Sequence, residues 1–122
     1  MLCRKRDMYD HENVFAKLLR HEIPCNTVLE TKHVLAFYDI NPQAPIHVLI
    51  IPKGAYSHAQ ACYTKATAEE RLEFGDMLGR LPEHLGLSSF RLISNQGKEA
   101  GQEVPHYHVH LLGGKSLGTM LV

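Results

Sequence analysis

The order of hydrophobic and polar positions along the chain predicts two amphipathic helices. The first is expected after an N-cap at Asp10 or Asn13. Its apolar positions share one side and are Val14, Phe15, Leu18 and Leu19. The second helix opens at a capping box formed by Thr67 and Glu70. Its apolar stripe follows the helical period and consists of Phe74, Met77, Leu78 and Leu81. Pro82 comes directly after the stripe and is expected to end this helix.

The same pattern predicts five strands, which are apolar, β-branched and aromatic runs bounded by turn residues. They cover residues 27–30, 33–39, 47–51, 90–94 and 106–112. Two prolines in the turn at residues 41–45 favour an antiparallel hairpin between the second and third strands. Because a helix is twice followed by antiparallel strands, the sequence predicts one α+β domain.

The last predicted strand carries an unbroken alternation of histidines and apolar residues. Successive side chains of a strand point to opposite faces. The core face is therefore expected to hold Tyr107, Val109 and Leu111, and the other face to hold His106, His108 and His110. Imidazole is neither a preferred strand former nor a cheap group to bury, so packing alone does not explain three histidines in register. We interpret the histidine face as a catalytic centre.

Two chemistries can use this face. The first is covalent catalysis, in which neutral His108 attacks a phosphorus atom and forms a phosphohistidine that water then cleaves. The preceding loop at residues 95–102 contains two glycines whose backbone N–H groups suit a phosphate oxyanion, although an ordinary turn has the same composition. The second is metal binding, with two of the histidines joined by His47 or Asp39. All three histidines cannot meet at one ion, since the outer two lie ~13 Å apart on a strand.

The size, charge balance and cysteine content of the chain give no reason to expect a nucleic-acid-binding, membrane or secreted protein. The 122 residues suit a single domain, and 13 basic residues balance 13 acidic ones, which gives no reason to expect binding to nucleic acid or to an anionic membrane. No apolar run approaches the ~20 residues that cross a bilayer, and the N-terminus does not have the pattern of a secretion signal. Three widely spaced cysteines fit reduced thiols, so we expect a cytoplasmic protein.

The three histidines and the residues that follow them form a motif known from a protein family. His106, His108 and His110, followed by two leucines and two glycines, resemble the signature of the histidine-triad (HIT) superfamily. Residues 15–24, 35–45, 47–53 and 101–102 are similar to its Hint branch, and the resemblance runs from residue 10 to 114. The sequence is thus identified as a member of this family, with bacterial-like features.

The resemblance implies an HIT fold, in which an antiparallel sheet of about five strands carries two main helices and continues across a homodimer. Gly75 and Gly79 on the second helix fit either a dimer contact or ordinary helix glycines. The whole chain, residues 1–122, would form a single HIT domain with a flexible N-terminus at residues 1–9 and a short tail at residues 115–122. The implied activity is that of a purine nucleoside phosphoramidase. It needs no metal or cofactor and releases AMP from adenosine 5′-monophosphoramidates and acyl-adenylates through a nucleotidyl-histidine.

The resemblance also implies roles for individual residues. His108 would be the nucleophile, and His110 would contact the phosphate and assist the leaving group. His106 would sit beside His108 and help fix its tautomer, with His47 as a further histidine in that network. Asn95, Gly101 and Gln102 would contact phosphate or shape its pocket, and Asp39 would accept hydrogen bonds from ribose. Phe15, Leu18 and Ile40 would wall the base, although their apolar character fits plain core equally well. The ligands would be AMP, GMP and their phosphoramidates.

Two departures from the animal relatives concern the leaving group. Glu103 replaces their serine, and the tryptophan-bearing tail is absent, since the chain contains no tryptophan. The alternatives to a phosphoramidase are a metal-dependent hydrolase using the same strand, a diadenosine-polyphosphate hydrolase, and a nucleotide-binding regulatory protein whose catalysis is vestigial.

Overall fold

A five-stranded antiparallel sheet forms the centre of the domain, as predicted. The computed structural model describes residues 8–121. The strands are β1 (Thr27–Glu30), β2 (Val34–Tyr38), β3 (Ile46–Pro52), β4 (Phe90–Ile93) and β5 (Val109–Gly113). Their order in the sheet is β1-β2-β3-β5-β4, and every neighbouring pair is antiparallel. The α+β fold class is therefore confirmed. The expected homodimer stays a prediction.

Three α-helices accompany the sheet, one more than predicted. They are α1 (Val14–Leu19), α2 (Ala59–Lys65) and α3 (Ala68–His84), and a short 3-10 helix covers Lys98–Ala100. The capping box of Thr67 and Glu70 at the start of α3 is confirmed. The prediction that Pro82 ends this helix was wrong. A proline removes one backbone donor and disturbs the turn before it, but the chain continues helically for two residues beyond the buried Pro82.

The two faces of the sheet are covered unequally. One face packs against α2 and α3, and its buried core includes Val48, Ile50, Phe74, Leu81, Tyr107, Val109 and Leu111. Among the helices of residues 8–121, α1 is the one that packs on the other face, in a cluster of Phe15, Leu18, Leu35, Phe37, Leu49 and Ile51 to which Val104 adds. A helix of six residues is about 9 Å long, so it shields only part of a sheet face. Among residues 8–121, no helix is long and apolar enough to cross a bilayer.

The strand register places the polar side chains where α1 leaves the face open. On the α1 face, Phe37 of β2 pairs with Leu49 of β3, and Leu49 pairs with His110 of β5. The next position along each strand on this face is polar, namely Asp39 after β2 and His47 in β3. The alternation read from the sequence is confirmed, because Tyr107, Val109 and Leu111 all lie in the opposite core. The predicted start of the last strand was wrong, however, since β5 covers Val109–Gly113 and does not begin at His106.

Candidate active site

A pocket of about 370 Å³ opens beside α1 on this face of the sheet. It is lined by Phe15, Asp39, Asn41, Gln43, His47, Leu49, Asn95, Gly101, Glu103, Val104, His108 and His110. Pockets of about 510 Å³ and 520 Å³ lie between β1 and α3 and beside the other side of α1, and each has one histidine in its lining. The smaller pocket brings three imidazoles together, which makes it the candidate active site.

His108 presents a free nitrogen to the pocket. Its ring packs edge-on against Phe15, with the ring centroids 5.1 Å apart. Its Nδ1 atom lies 2.7 Å from the main-chain carbonyl oxygen of His106. Because a carbonyl can only accept, Nδ1 carries the proton and Nε2 carries the lone pair. Among residues 8–121 the one buried side-chain nitrogen or oxygen without a hydrogen-bond partner belongs to His33, so the unpartnered Nε2 of His108 is accessible from the pocket.

The open nitrogen of His110 carries a proton instead of a lone pair, because a second chain of hydrogen bonds fixes the tautomer of this ring. The backbone N–H of Gln43 donates to Nδ1 of His47 over 3.0 Å, so the proton of neutral His47 is on Nε2. This Nε2–H donates to Nδ1 of His110 over 2.9 Å. The proton of neutral His110 is therefore on its own Nε2, the nitrogen that no other described residue contacts. The pocket thus holds a lone pair on His108 beside an N–H on His110, with the ring centroids 5.1 Å apart.

His106 does not line the pocket, because its ring is fully buried. Its Nε2–H donates to the carbonyl oxygen of Pro52 over 2.8 Å, and its Nδ1 accepts the hydroxyl hydrogen of Tyr9. The resemblance assigned the fixing of the His108 tautomer to His106, and the group in contact with His108 is the main-chain carbonyl of His106 and not its imidazole. Tyr9 was placed in the flexible N-terminal segment, yet it packs on His106; residues 1–7 of that segment lie outside the described part of the chain.

Burial keeps the imidazoles of this cluster neutral. Burial, together with the smaller effect of the neighbouring His108 and against the opposing hydrogen bond to Pro52, lowers the pKa of His106 to about 4. Burial also lowers the pKa of His110 to about 4, with His108 and His47 acting in the same direction. The pKa values of His108 and His47 are lowered for the same first reason, and Asp39 opposes the shift in both. At neutral pH His108 therefore keeps the lone pair that a nucleophile needs.

The lowered pKa of His106 predicts a loss of stability in mild acid. The unfolded chain takes up this proton near pH 6.5 and the folded chain only near pH 4, so stability is complete above pH 6.5 and falls towards pH 4. This one group should reduce the free energy of unfolding by about 2 kcal/mol between pH 7.5 and pH 5. Urea denaturation at several pH values measures the slope. In His106→Gln, whose amide can bond Pro52 and Tyr9 without titrating, the slope should be smaller; an equal slope would contradict the assignment.

The ionisable side chains that line the pocket are two carboxylates and three imidazoles. The carboxylates of Asp39 and Glu103 belong to its lining, to which the described part of the chain contributes no lysine or arginine. Oδ1 of Asp39 accepts the backbone N–H of Asn41 over 2.7 Å, and Oδ2 lies 3.5 Å from Nε2 of His47. The carboxylate oxygens of Asp39 therefore keep lone pairs that can accept a hydrogen bond from a ligand hydroxyl. No salt bridge or hydrogen bond from a described residue engages the exposed Glu103 side chain.

The glycine loop is a tight turn whose backbone N–H groups at residues 100–102 all donate to carbonyls within the loop. Gly97 and Gly101 flank the 3-10 helix with φ angles of 89° and 91°, which only glycine adopts freely. The Gln102 side chain holds the loop in shape, since it accepts the N–H of Gly97 and donates to the carbonyls of Ser57 and Val104. Asn95 and Gly101 reach the pocket, whereas Gln102 does not.

The three residues predicted to wall the base lie in different surroundings. Phe15 lines the pocket, Leu18 lines the neighbouring 520 Å³ pocket, and Ile40 is 91% exposed. Their roles as base walls stay predictions. The sequence reasoning did not find Gln43 and Tyr9. Gln43 follows Asp39 in the proline-rich turn, which was a usable signal, whereas nothing in the sequence links Tyr9 to a residue 97 positions away.

The same cluster contains a possible set of metal donors. One ligand atom each from Asp39, His47 and His110 lies within 4.8 Å of the others. In this arrangement the two imidazole nitrogens are 2.9 Å apart, a hydrogen-bond length. Two nitrogens on a tetrahedral zinc ion would be ~3.4 Å apart. The residues therefore fit an ion only after a small separation of the two rings.

Comparisons with known proteins agree on one family. A sequence profile of the HIT domain family matches residues 20–117. An uncharacterised HIT-like protein of Azospirillum brasilense is 49% identical over 93% of this chain and 94% of its own. The purine nucleoside phosphoramidase of Escherichia coli K12 is 41% identical over 90% of this chain and 93% of its own. Among solved structures, an HIT family hydrolase from Clostridium thermocellum matches with a TM-score of 0.78 and 36% identity, covering 91% of this chain and 97% of its own.

Proposed function

Because this chain belongs to the HIT domain family, we propose that it is a purine nucleoside phosphoramidase that works through a nucleotidyl-histidine. At the coarser level it is a hydrolase of that family, as its relatives named hydrolase and phosphoramidase indicate. Its substrates would be adenosine 5′-monophosphoramidates and acyl-adenylates, and its product AMP. The observation that carries the proposal is the lone pair on His108 beside the N–H on His110.

In the first half-reaction the lone pair of His108 Nε2 attacks phosphorus and the P–N bond breaks. The bound phosphoryl anion offsets the effect of burial on His110, so its imidazole can take up a second proton at Nδ1 when the Nε2–H of His47 turns to Oδ2 of Asp39, which lies 3.5 Å away. This imidazolium gives its Nε2 proton to the departing nitrogen, which leaves as a neutral amine. In the second half-reaction His110 takes a proton from water, and the hydroxide cleaves the N–P bond. AMP leaves, and His108 is restored.

The remaining pocket groups suit the other parts of the substrate. Asp39 would accept a ribose hydroxyl, Phe15 would contact the base, and the side-chain amide of Asn95 would donate to a phosphoryl oxygen. The charge of the lining argues against a diadenosine polyphosphate. Such a substrate brings several negative charges to a pocket in whose lining residues 8–121 place two carboxylates and no lysine or arginine to offset them. Monophosphoryl compounds with neutral or cationic leaving groups fit better.

Mass spectrometry under single-turnover conditions tests the proposal. An adenosine phosphoramidate should give a covalent adduct of AMP mass that forms and decays at rates consistent with turnover, with and without a chelator. Rates on this substrate and on diadenosine tetraphosphate should be measured side by side. Tight AMP binding without an adduct or turnover would instead favour the nucleotide-binding regulatory protein.

A metal-dependent hydrolase is the second candidate, because Asp39, His47 and His110 form a set of metal donors. Such an ion would polarise the phosphoryl oxygen and lower the pKa of a water. This candidate predicts hydrolysis that stops on chelation, returns with added zinc, and passes through no covalent adduct.

The Glu103 carboxylate predicts a preference for cationic leaving groups. Two phosphoramidates should be compared whose amines have equal length but end in an ammonium or a hydroxyl group. In Glu103→Gln the ratio of their kcat/KM values, cationic over neutral, should fall about two- to fivefold, since an exposed charge contributes up to about 1 kcal/mol. Added salt should reduce the wild-type ratio. Glu99→Gln, an exposed residue of the same loop that does not line the pocket, is the matched control and should leave the ratio unchanged.

A further inference from the structure

The N-terminal residue Tyr9 joins the histidine cluster through a chain of hydrogen bonds whose direction is fixed at both ends. Nδ2 of Asn13 lies 2.8 Å from the Tyr9 hydroxyl oxygen, and an amide nitrogen can only donate. The hydroxyl hydrogen of Tyr9 is then directed to Nδ1 of His106. At the far end Nε2–H of His106 meets the carbonyl of Pro52, which can only accept. Both ends of the chain therefore require a neutral His106 that carries its proton on Nε2 and a lone pair on Nδ1.

The position of His106 matters because its main chain lies outside the sheet ladder. Strand β5 begins at Val109, so no strand pairing fixes the carbonyl of His106. That carbonyl holds the proton on Nδ1 of His108. The fully buried ring of His106 is held on one side by Pro52 of β3 and on the other by Tyr9. The main chain is held here by the N–H of His106, which donates to the Val104 carbonyl, and by the N–H of Tyr107, which donates to the Tyr56 carbonyl. The two ring contacts add to these bonds and fix the side chain of the residue whose carbonyl sets the state of the nucleophile.

We propose that Tyr9 is a positioning residue that acts through His106 to keep the lone pair of His108 on Nε2, the nitrogen open to the pocket. It touches neither the pocket lining nor the reacting atoms. Asn13 directs the Tyr9 hydroxyl, and it also caps α1, since its Oδ1 accepts the N–H of Ala16 over 2.9 Å. The proposal rests on the proposed function for its kinetic consequences only, because the tautomer of His108 can be observed without any substrate.

Two substitutions break the chain in different ways. Tyr9→Phe removes the hydroxyl and leaves Nδ1 of His106 without its donor. Asn13→Asp keeps an oxygen to cap α1, since aspartate and asparagine cap helices equally well, but replaces the amide donor with a second acceptor. The Tyr9 hydroxyl can then donate to residue 13 instead of His106. Tyr63→Phe is the matched control. It also removes one hydroxyl, from an exposed tyrosine that packs on Tyr107 at the opposite face of the sheet.

Nitrogen NMR of the histidine rings and steady-state kinetics together test the proposal. In wild type the spectra should show His108 protonated at Nδ1 and His106 at Nε2. In Tyr9→Phe and Asn13→Asp the Nδ1 signal of His106 should move, and His108 should show a mixture of tautomers. On a phosphoramidate kcat should fall about tenfold, as expected when a reacting group is misplaced, while KM changes less than about twofold. Tyr63→Phe should match wild type in both measurements.

Spectra of His108 that stay unchanged in both variants, while each folds as wild type, would overturn the proposal. A folded Asn13→Asp with wild-type kcat would do the same, because it retains the cap and loses both amide donations of Asn13, the one to the Asp10 carbonyl and the one that directs the Tyr9 hydroxyl. If wild type shows no turnover, the proposed function fails, and the NMR comparison alone still decides whether Tyr9 positions His108.

Discussion

Replacing His108 with glycine should lower kcat on an adenosine phosphoramidate by about 10⁴-fold or more, because removal of a catalytic nucleophile leaves only binding and electrostatic contributions. The free Nε2 of His108 is the nitrogen of this cluster that combines a lone pair with access to the pocket. Stopped-flow or quenched measurements should be paired with mass spectrometry. The wild type should accumulate an adduct of AMP mass on His108, and the variant should form none.

The control for this experiment is His21→Gly. His21 is exposed and has a φ angle of 63°, a conformation that glycine adopts without strain. Its replacement removes an imidazole and adds a glycine, as His108→Gly does, but outside the pocket lining. Activity should remain within about twofold of wild type. Retention of adduct formation and near-normal kcat in His108→Gly would show that another group is the nucleophile.

The sequence was sufficient to predict the sheet and the two faces of its central strands, because side-chain alternation is a local property of the backbone. It placed Val109 and Leu111 in the core, and it placed His108 and His110 on the other side of the sheet. The pattern cannot say what covers each face. Burial of the His106 ring depends on Tyr9 and on Pro52 of another strand, which are brought near by the tertiary fold.

The candidate site was predicted in outline and not in its hydrogen bonds. The family resemblance placed His47 and Asp39 in the site with the histidines, whereas the predicted hairpin only brought these two residues near each other. The sequence could not show that a backbone N–H of Gln43 and a carbonyl of His106 set opposite protonation states on the two pocket imidazoles. Such contacts depend on interatomic distances that no pattern of residue types specifies. The missed helix α2 has the same origin, because its few buried residues give it almost no amphipathic signal.

The two imidazoles are therefore chemically different although their sequence contexts are similar. A main-chain carbonyl can only accept a hydrogen bond, and a main-chain N–H can only donate one. Each imidazole is connected to one such group, which decides whether the ring nitrogen in the pocket carries a lone pair or a proton. His108 is connected to a carbonyl in one step, so its open nitrogen is basic. His110 is connected to an N–H through His47, so its open nitrogen carries a proton. Two distinct functions follow, and separate substitutions should separate them.

His110→Asn should reduce hydrolysis in proportion to the need of the leaving group for a proton. An asparagine amide can still donate a hydrogen bond to a phosphoryl oxygen, but it cannot transfer a proton. On a phosphoramidate, whose nitrogen must be protonated to leave, kcat should fall about 10²- to 10³-fold. On an acyl-adenylate, whose carboxylate leaves without a proton, the loss should be about tenfold or less.

The comparison of the two substrates within each variant removes effects of folding and of nucleotide binding, since both substrates share the AMP portion. His108→Gly should abolish both reactions alike, because both need the nucleophile. An equal loss on both substrates in His110→Asn would mean that His110 supports phosphate binding and not proton transfer. The proton of the amine would then have to come from water or from the substrate itself, and the assignment of His110 as the acid would be wrong.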